Sequence, residues 1–175
     1  APVFAVVALL NVRGGGVFYR QQRLGLSGRE FSCIKFRSMV PGAEEAQDML
    51  MHLNITDGPT YKTPDDPRLT RFGRFLRQTS IDELPQLFNV LRGEMSLVGP
   101  RPLAVLENRY TGHQHLRLSV KPGLTCIWQV SGRSKIGFNR WMEMDLEYVG
   151  SRSLVYDLKL IFKTIPAVLR REGAF

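Results

Sequence analysis

The segment "LVYDLKLIFKTIPAVLRREG" places the tightest limit on the fold. Leu154, Leu158, Ile161, Phe162, Ile165, Val168 and Leu169 recur at the spacing of one helix face, with Lys159, Lys163 and Arg170 opposite. A chain with such a stripe must cover it. The helix either packs on a core or lies in a membrane interface with its basic face towards lipid headgroups. Periodicity leaves both open. Pro166 lacks a backbone donor and is expected to bend the helix.

Upstream, two β-prone runs, residues 17–23 and 30–39, flank the turn "LGLSG" and predict a hairpin. The three glycines of "NVRGGG" precede a strand rather than a helix, which disfavours a dinucleotide-binding loop. Helices are expected over residues 43–53, 80–91, 103–119 and 138–149, and in "RLTRFGRFLRQ", where Leu69, Phe72 and Leu76 share a face. "NITDGPTYKTPDDP" reads as loop, and "KPGLTCIWQVSGR" as irregular or short strand. The fold class is α+β: mainly helical, with a small antiparallel hairpin or sheet.

A length of 175 residues with 43% hydrophobic content supports one domain with a core. Lys and Arg number 24 against 16 acids, a net charge of +8 that favours a polyanionic partner: nucleic acid, an anionic membrane face or phosphorylated substrates. Cys33 and Cys126 fit two small buried hydrophobes, not a disulfide framework or zinc site, and "HQH" at His113 and His115 has no zinc pattern beside it. The chain begins "APVFAVVALL", too short an apolar run to span a bilayer, which needs about 20 residues. With no initiator Met, it reads either as a buried terminal element or as the continuation of a longer apolar segment.

The centre of the chain raises a question of chemistry. In "DPRLTRFGRFLRQTSIDELPQLF", Arg68, Arg71, Arg74 and Arg77 precede the adjacent acids Asp82 and Glu83. One reading is structural. "SIDE" is a capping box in which Ser80 caps a helix and Glu83 reaches back, while Asp82 suits the helix dipole and Pro85 is tolerated in the first turn. The other reading is a phosphate site at an arginine-lined helix start. Adjacent helical residues point about 100° apart, so one carboxylate can face phosphorus while the other holds a metal ion.

"KFRSM", the run from "DPRLTRFGRFLR" through "SLVGPRP", "KPGLT", "WQVSGR" and "IPAVLRREGAF" together resemble the bacterial sugar transferases, the monotopic phosphoglycosyl transferases that act on polyprenol phosphate. The resemblance covers nearly the whole chain. It implies transfer of a sugar-1-phosphate from a UDP-sugar, with glucose or galactose as family-level expectations, to undecaprenyl or another polyprenol phosphate. UMP and a polyprenol diphospho-sugar are the implied products, at the first membrane step of surface-polysaccharide or glycoconjugate synthesis. It further implies that Asp82 attacks phosphorus to form a covalent phospho-sugar and that Glu83 binds Mg²⁺. Arg77 and Arg101 match arginines at substrate phosphate, while Lys35, Arg37, Asp66, Arg68 and Arg133 are further substrate-site candidates. Asp145 is assigned equally to substrate or to fold support.

By the same resemblance, residues 1–13 would be the outgoing half of a re-entrant membrane helix, broken near Pro2. Residues 14–175 would be the catalytic domain, ending in an interfacial amphipathic helix. The expected location is the cytoplasmic face of the bacterial inner membrane, with membrane lipid as a partner and no nucleic acid. Oligomeric state stays open, a dimer included. The departures are Ala1 beside Pro2 where Ser is usual, prolines missing from "NVRGGGVFYRQ", Cys126 in place of a glycine, and no Asn-Trp in "YVGSRSL". The rival readings are a nucleic-acid binder using "RFGRFLR" and a soluble Mg²⁺-dependent phosphohydrolase using Asp82.

Overall fold

In the computed structural model, which describes residues 2–11, 15–104, 110, 112–171 and 173, the chain opens with helix α1 (Pro2–Asn11). Pro2 starts this helix; Ala1 and residues 12–14, where the membrane segment was expected to end, lie outside the described residues. One face of α1 is anchored. Phe4 sits edge-on to Phe36 at 5.0 Å and to Phe88 at 5.8 Å, and Val7 is buried with Phe36 and Leu76. Val6, Leu9 and Leu10 on the remaining surface are exposed. No helix among the described residues is long and apolar enough to cross a membrane.

Strands β1 (Phe18–Leu24) and β2 (Glu30–Phe36) form the predicted antiparallel hairpin, with Phe18 opposite Phe36 and Leu24 opposite Glu30. The far edge of β2 is closed by a side chain. Asn89, fully buried, accepts from Ile34 N–H at 3.1 Å and donates to the Ser32 carbonyl at 2.8 Å, so the backbone groups there are satisfied without a third strand. Asn89 belongs to α3 (Gln86–Leu91), which is thereby docked on the hairpin.

Helix α2 (Arg71–Gln78) is capped by Thr70, whose hydroxyl accepts from Gly73 N–H at 2.8 Å. Gly73 permits the closest approach in this region: a Cβ there would lie 1.8 Å from the Ser38 carbonyl oxygen, so α2 rests directly on the chain leaving β2. Leu76 is buried beneath it, whereas Phe75 is exposed.

A second, parallel pair joins β3 (Ser96–Val98) to β4 (Gly123–Thr125), which the purely antiparallel expectation lacked. Three-residue strands carry too little alternation to be read from sequence. Helices α4 (Ile127–Ser131), α5 (Phe138–Ser151) and α6 (Leu154–Arg170) complete the chain. Leu103, Trp128, Phe138, Trp141 and Met142 form one core cluster; Val98, Val120, Ile127, Tyr148 and Leu160 form another.

Three expectations change. Residues 43–53 are turns followed by a 3-10 helix (Asp48–Leu53), because Met49, Met51 and Leu53 stay exposed and no packed face supports an α-helix. Of residues 103–119, the described end is a 3-10 helix (Gly112–Ser119), while 105–109 and 111 lie outside the described residues. Helix α6 runs through Pro166 as one helix. Its buried residue is Leu160, and Leu154, Leu158, Phe162, Ile165 and Leu169 of the apolar stripe face outward. Packing on the core therefore does not cover that stripe. Both cysteines are buried free thiols.

Candidate active site

The acidic pair occupies a single turn of 3-10 helix, Ile81–Glu83, between α2 and α3. The capping box is not formed. Ser80 is left-handed (φ 56°), its hydroxyl makes no capping bond, and Glu83 N–H bonds to the Ser80 carbonyl at 3.2 Å. Electrostatics explains the difference: the Glu83 side chain is held by cations. Its Oε1 accepts from Lys35 Nζ at 2.9 Å and its Oε2 from Arg101 Nη1 at 3.1 Å, while Arg101 Nη2 also bonds Oε1. The strand β2 supplies Lys35 and the turn after β3 supplies Arg101, so the fold brings two distant segments onto one carboxylate.

The two acids differ in charge state. Burial pushes Glu83 upward, but Arg101 and Lys35 outweigh it and hold its carboxyl well below the usual range. Asp82 is buried, and no described side chain donates to it. Burial pushes its carboxyl up to about 6, with Lys35, Arg77 and Arg101 opposing and Glu83 adding to the rise. One carboxylate is thus fixed as an anion and the other is poised near neutrality, the separation expected when two acids have different tasks.

The remaining candidates sort by what they touch. Arg77 turns inward and donates to Ser38 Oγ at 3.1 Å, while Arg71 and Arg74 face solvent and Arg74 pairs with Asp65. Arg68 and Asp66 form a buried two-bond pair at 2.9 and 2.7 Å, and Arg68 also donates to the Ala43 carbonyl at 2.9 Å. These two shape a cavity wall and hold each other. Arg37 lines the same cavity, its Nε buried without a hydrogen-bond partner among the described residues. Arg133, left-handed at φ 53°, approaches Ser80 Oγ at 3.5 Å. Asp145 supports the fold: it takes two bonds from the buried Arg117, at 2.6 and 2.9 Å. Arg117 in turn donates to the Arg101 carbonyl at 2.6 Å and to Tyr110. Arg117 is the residue that sequence reading missed; a single arginine in "HLRLS" carries no signal that it will be buried.

Three cavities converge on the pair. One of about 210 Å³ contains Asp82, Glu83, Lys35, Arg77 and Arg101 at its wall. A larger polar one, about 470 Å³, shares Asp82, Lys35 and Arg77 with it. The third, about 460 Å³, is apolar, lined by residues such as Leu97, Leu124, Ile161 and Ile165, and it reaches Glu83, Ser80, Gln129 and Arg133 from the other side. Among the described residues no group of three or more His, Cys, Asp or Glu could hold a metal. The pair nonetheless fits Mg²⁺ of the kind that takes one or two carboxylates and completes its shell with phosphate and water. Glu83 uses three of about four lone-pair sites on its neighbours and keeps one.

An anionic carboxylate, a second one buried beside it with its pKa raised, and cations gathered where polar cavities meet an apolar one form a site suited to binding a phosphorylated group. The chain belongs to the bacterial sugar transferase family, whose model matches residues 1–171. A Salmonella typhimurium protein named undecaprenyl-phosphate galactose phosphotransferase is 46% identical over 167 residues, covering 93% of this chain and 35% of its own length. The Xanthomonas campestris UDP-glucose:undecaprenyl-phosphate glucose-1-phosphate transferase is 42% identical over 172 residues, 92% of this chain and 33% of its own. The Rhizobium meliloti exopolysaccharide production protein ExoY is 41% identical over 182 residues, 100% of this chain and 80% of its own. The chain spans less than two-fifths of the length of several curated relatives that it matches.

Proposed function

We propose that this protein transfers a hexose-1-phosphate from a UDP-sugar to a polyprenol phosphate such as undecaprenyl phosphate, releasing UMP. The observation that carries the reading is the position of Asp82 and Glu83 where cation-lined polar cavities meet an apolar cleft. A soluble nucleotide sugar suits the first environment and an isoprenoid chain the second. The names of the Salmonella and Xanthomonas relatives support this pair of substrates, with galactose or glucose as the sugar.

In the proposed mechanism an oxygen of the Asp82 carboxylate attacks the phosphorus bearing the sugar. The bond from that phosphorus to the bridging oxygen breaks, and its electron pair leaves with UMP. Arg77, Lys35 and Arg101 offset the repulsion between a carboxylate and a diphosphate, with Arg37 further out. A phosphate oxygen of the acceptor then attacks the same phosphorus, forming the diphosphate and returning the Asp82 carboxylate. Glu83 would hold Mg²⁺, which when bound supplies charge neutralisation at the phosphate oxygens. Arg68 and Asp66 shape the larger polar cavity, and Arg133 stands between the smaller one and the apolar cleft.

The outward apolar residues of α6, together with Val6, Leu9 and Leu10 of α1, support attachment to one membrane leaflet. The reading assigns that leaflet to the cytoplasmic face, where nucleotide sugars are made. It treats residues 1–13 as part of the membrane element and the rest as the catalytic domain.

Intact-mass spectrometry of acid-quenched full-length protein tests the chemistry. Incubated in detergent with Mg²⁺ and a UDP-sugar but no acceptor, it should gain a hexose phosphate mapping to Asp82, with UMP released. Asp82→Asn should show no adduct and no turnover; substantial turnover by that variant would remove Asp82 as nucleophile.

A further inference from the structure

We infer that the two polar cavities divide the donor between them. The smaller one reads the sugar, through the Trp128 indole N–H and the Tyr61 hydroxyl, and the larger one holds the nucleotide. The inference rests on the proposed transferase function and adds the side chains that select the sugar.

The division follows from connectivity and size. Attack at the sugar-bearing phosphorus from Asp82 requires the hexose and the departing UMP to diverge from one point. Asp82, Lys35 and Arg77 line both polar cavities, so their junction is where that phosphorus belongs. The larger cavity, about 470 Å³, lies within the range of roughly 300–1,000 Å³ that organic ligands of nucleotide size occupy. The smaller, about 210 Å³, falls below that range and suits one sugar ring.

Their unpartnered groups differ in the same sense. Among the described residues Arg37 Nε, a cationic donor suited to phosphate, is buried without a partner on the wall of the larger cavity and does not line the smaller one. In the smaller cavity Trp128 Nε1 and Arg133 Nε are buried without partners, and Tyr61 Oη, on the wall common to both, is unpartnered too. A buried donor left unpaired is costly, and a hexose presents hydroxyl oxygens that would relieve it. Trp128 is 4% exposed and stacks on Trp141 with ring centroids 4.5 Å apart. The Arg68 guanidinium lies 4.8 Å from the Tyr61 ring centroid. The Trp128 N–H is therefore held in one direction and the Tyr61 oxygen is held in place, and fixed positions of this kind are what distinguishing hydroxyl epimers requires.

Trp128→Phe keeps an aromatic ring against Trp141 and deletes the N–H; Tyr61→Phe deletes the hydroxyl. In full-length protein with polyprenol phosphate and Mg²⁺, kcat/KM would be measured for UDP-glucose, UDP-galactose and UDP-N-acetylglucosamine, beside the inhibition constant of UMP. Each variant should lose about tenfold in kcat/KM for the preferred donor and a similar factor in preference over its epimer, with UMP inhibition within about twofold of wild type. Arg37→Lys should do the reverse, weakening UMP inhibition and keeping the sugar ratios. Thermal denaturation controls for folding, and Tyr61→Phe serves if Trp128→Phe is unstable. Sugar ratios unchanged in both variants, or UMP inhibition weakened as much as sugar use, would overturn the division while leaving the transferase intact. Wild-type protein that uses none of the donors would overturn the transferase reading and this inference with it.

Discussion

On the proposed function, Asp82 carries both a liability to the fold and a role in the chemistry. Its carboxyl stands at about 6 in the folded chain, against about 4 for an exposed aspartate. Between those values the folded state holds more protons than the unfolded one, so stability falls as pH rises through that window and the full penalty applies above it. Asp82→Asn removes the penalty. The variant should be more stable at pH 7.5 by on the order of 2 kcal/mol, or about 4–8 °C in Tm. The gain should fade towards pH 4, and scanning calorimetry across pH checks it. In the wild type, kcat/KM should fall as pH drops through about 6, the pH at which the free enzyme loses its carboxylate. A flat profile down to pH 5 would count against Asp82 as the attacking group.

At the scale of elements, what was legible depended on how much signal each segment held locally. The hairpin, α5 and α6 were readable because a period of two or of 3.6 runs for seven residues or more. The pair of acids and the arginines before it were visible as an odd local density of charge, whereas Arg77 stood out from Arg71 and Arg74 only through the family resemblance. The turn carrying that pair was misread as a capped helix, since nothing local indicates that Lys35, 48 residues away, and Arg101 will take Glu83 from its backbone. The Arg117–Asp145 pair was invisible for the same reason. With the Ser38 carbonyl 1.8 Å from where a Cβ would stand, Gly73→Ala must push α2 away from β2. Because Arg77 bonds Ser38 across that contact, the variant should lose on the order of 2–4 kcal/mol of stability. It should also raise KM for the donor, as chemical denaturation and kinetics would report.

The whole molecule presents apolar surface that its own core does not use. Leu154, Phe162 and Leu169 of α6 are each about 70% exposed or more, so the helix is amphipathic with its apolar side open. Sequence periodicity identified the stripe, but only tertiary placement showed that it is left uncovered. Phe162→Glu should leave Tm within about 1–2 °C of wild type, since the side chain makes little of the core. It should weaken sedimentation with anionic lipid vesicles several-fold. Unchanged vesicle binding would point to α1 as the main attachment.

The wall between the polar and apolar cavities is one residue thick, and Ser80, Glu83, Gln129 and Arg133 belong to both sides. Such a partition ties two inheritances together. If the proposed function holds, a lineage that reshapes this wall to accept a new sugar also alters the surface offered to the acceptor lipid, so donor and acceptor preference should drift as a pair. By contrast, Trp128, Tyr61 and Lys62 line the polar side without lining the apolar one. On the same reading, diversification towards new sugars has its freest ground there, where a substitution leaves the apolar cleft undisturbed.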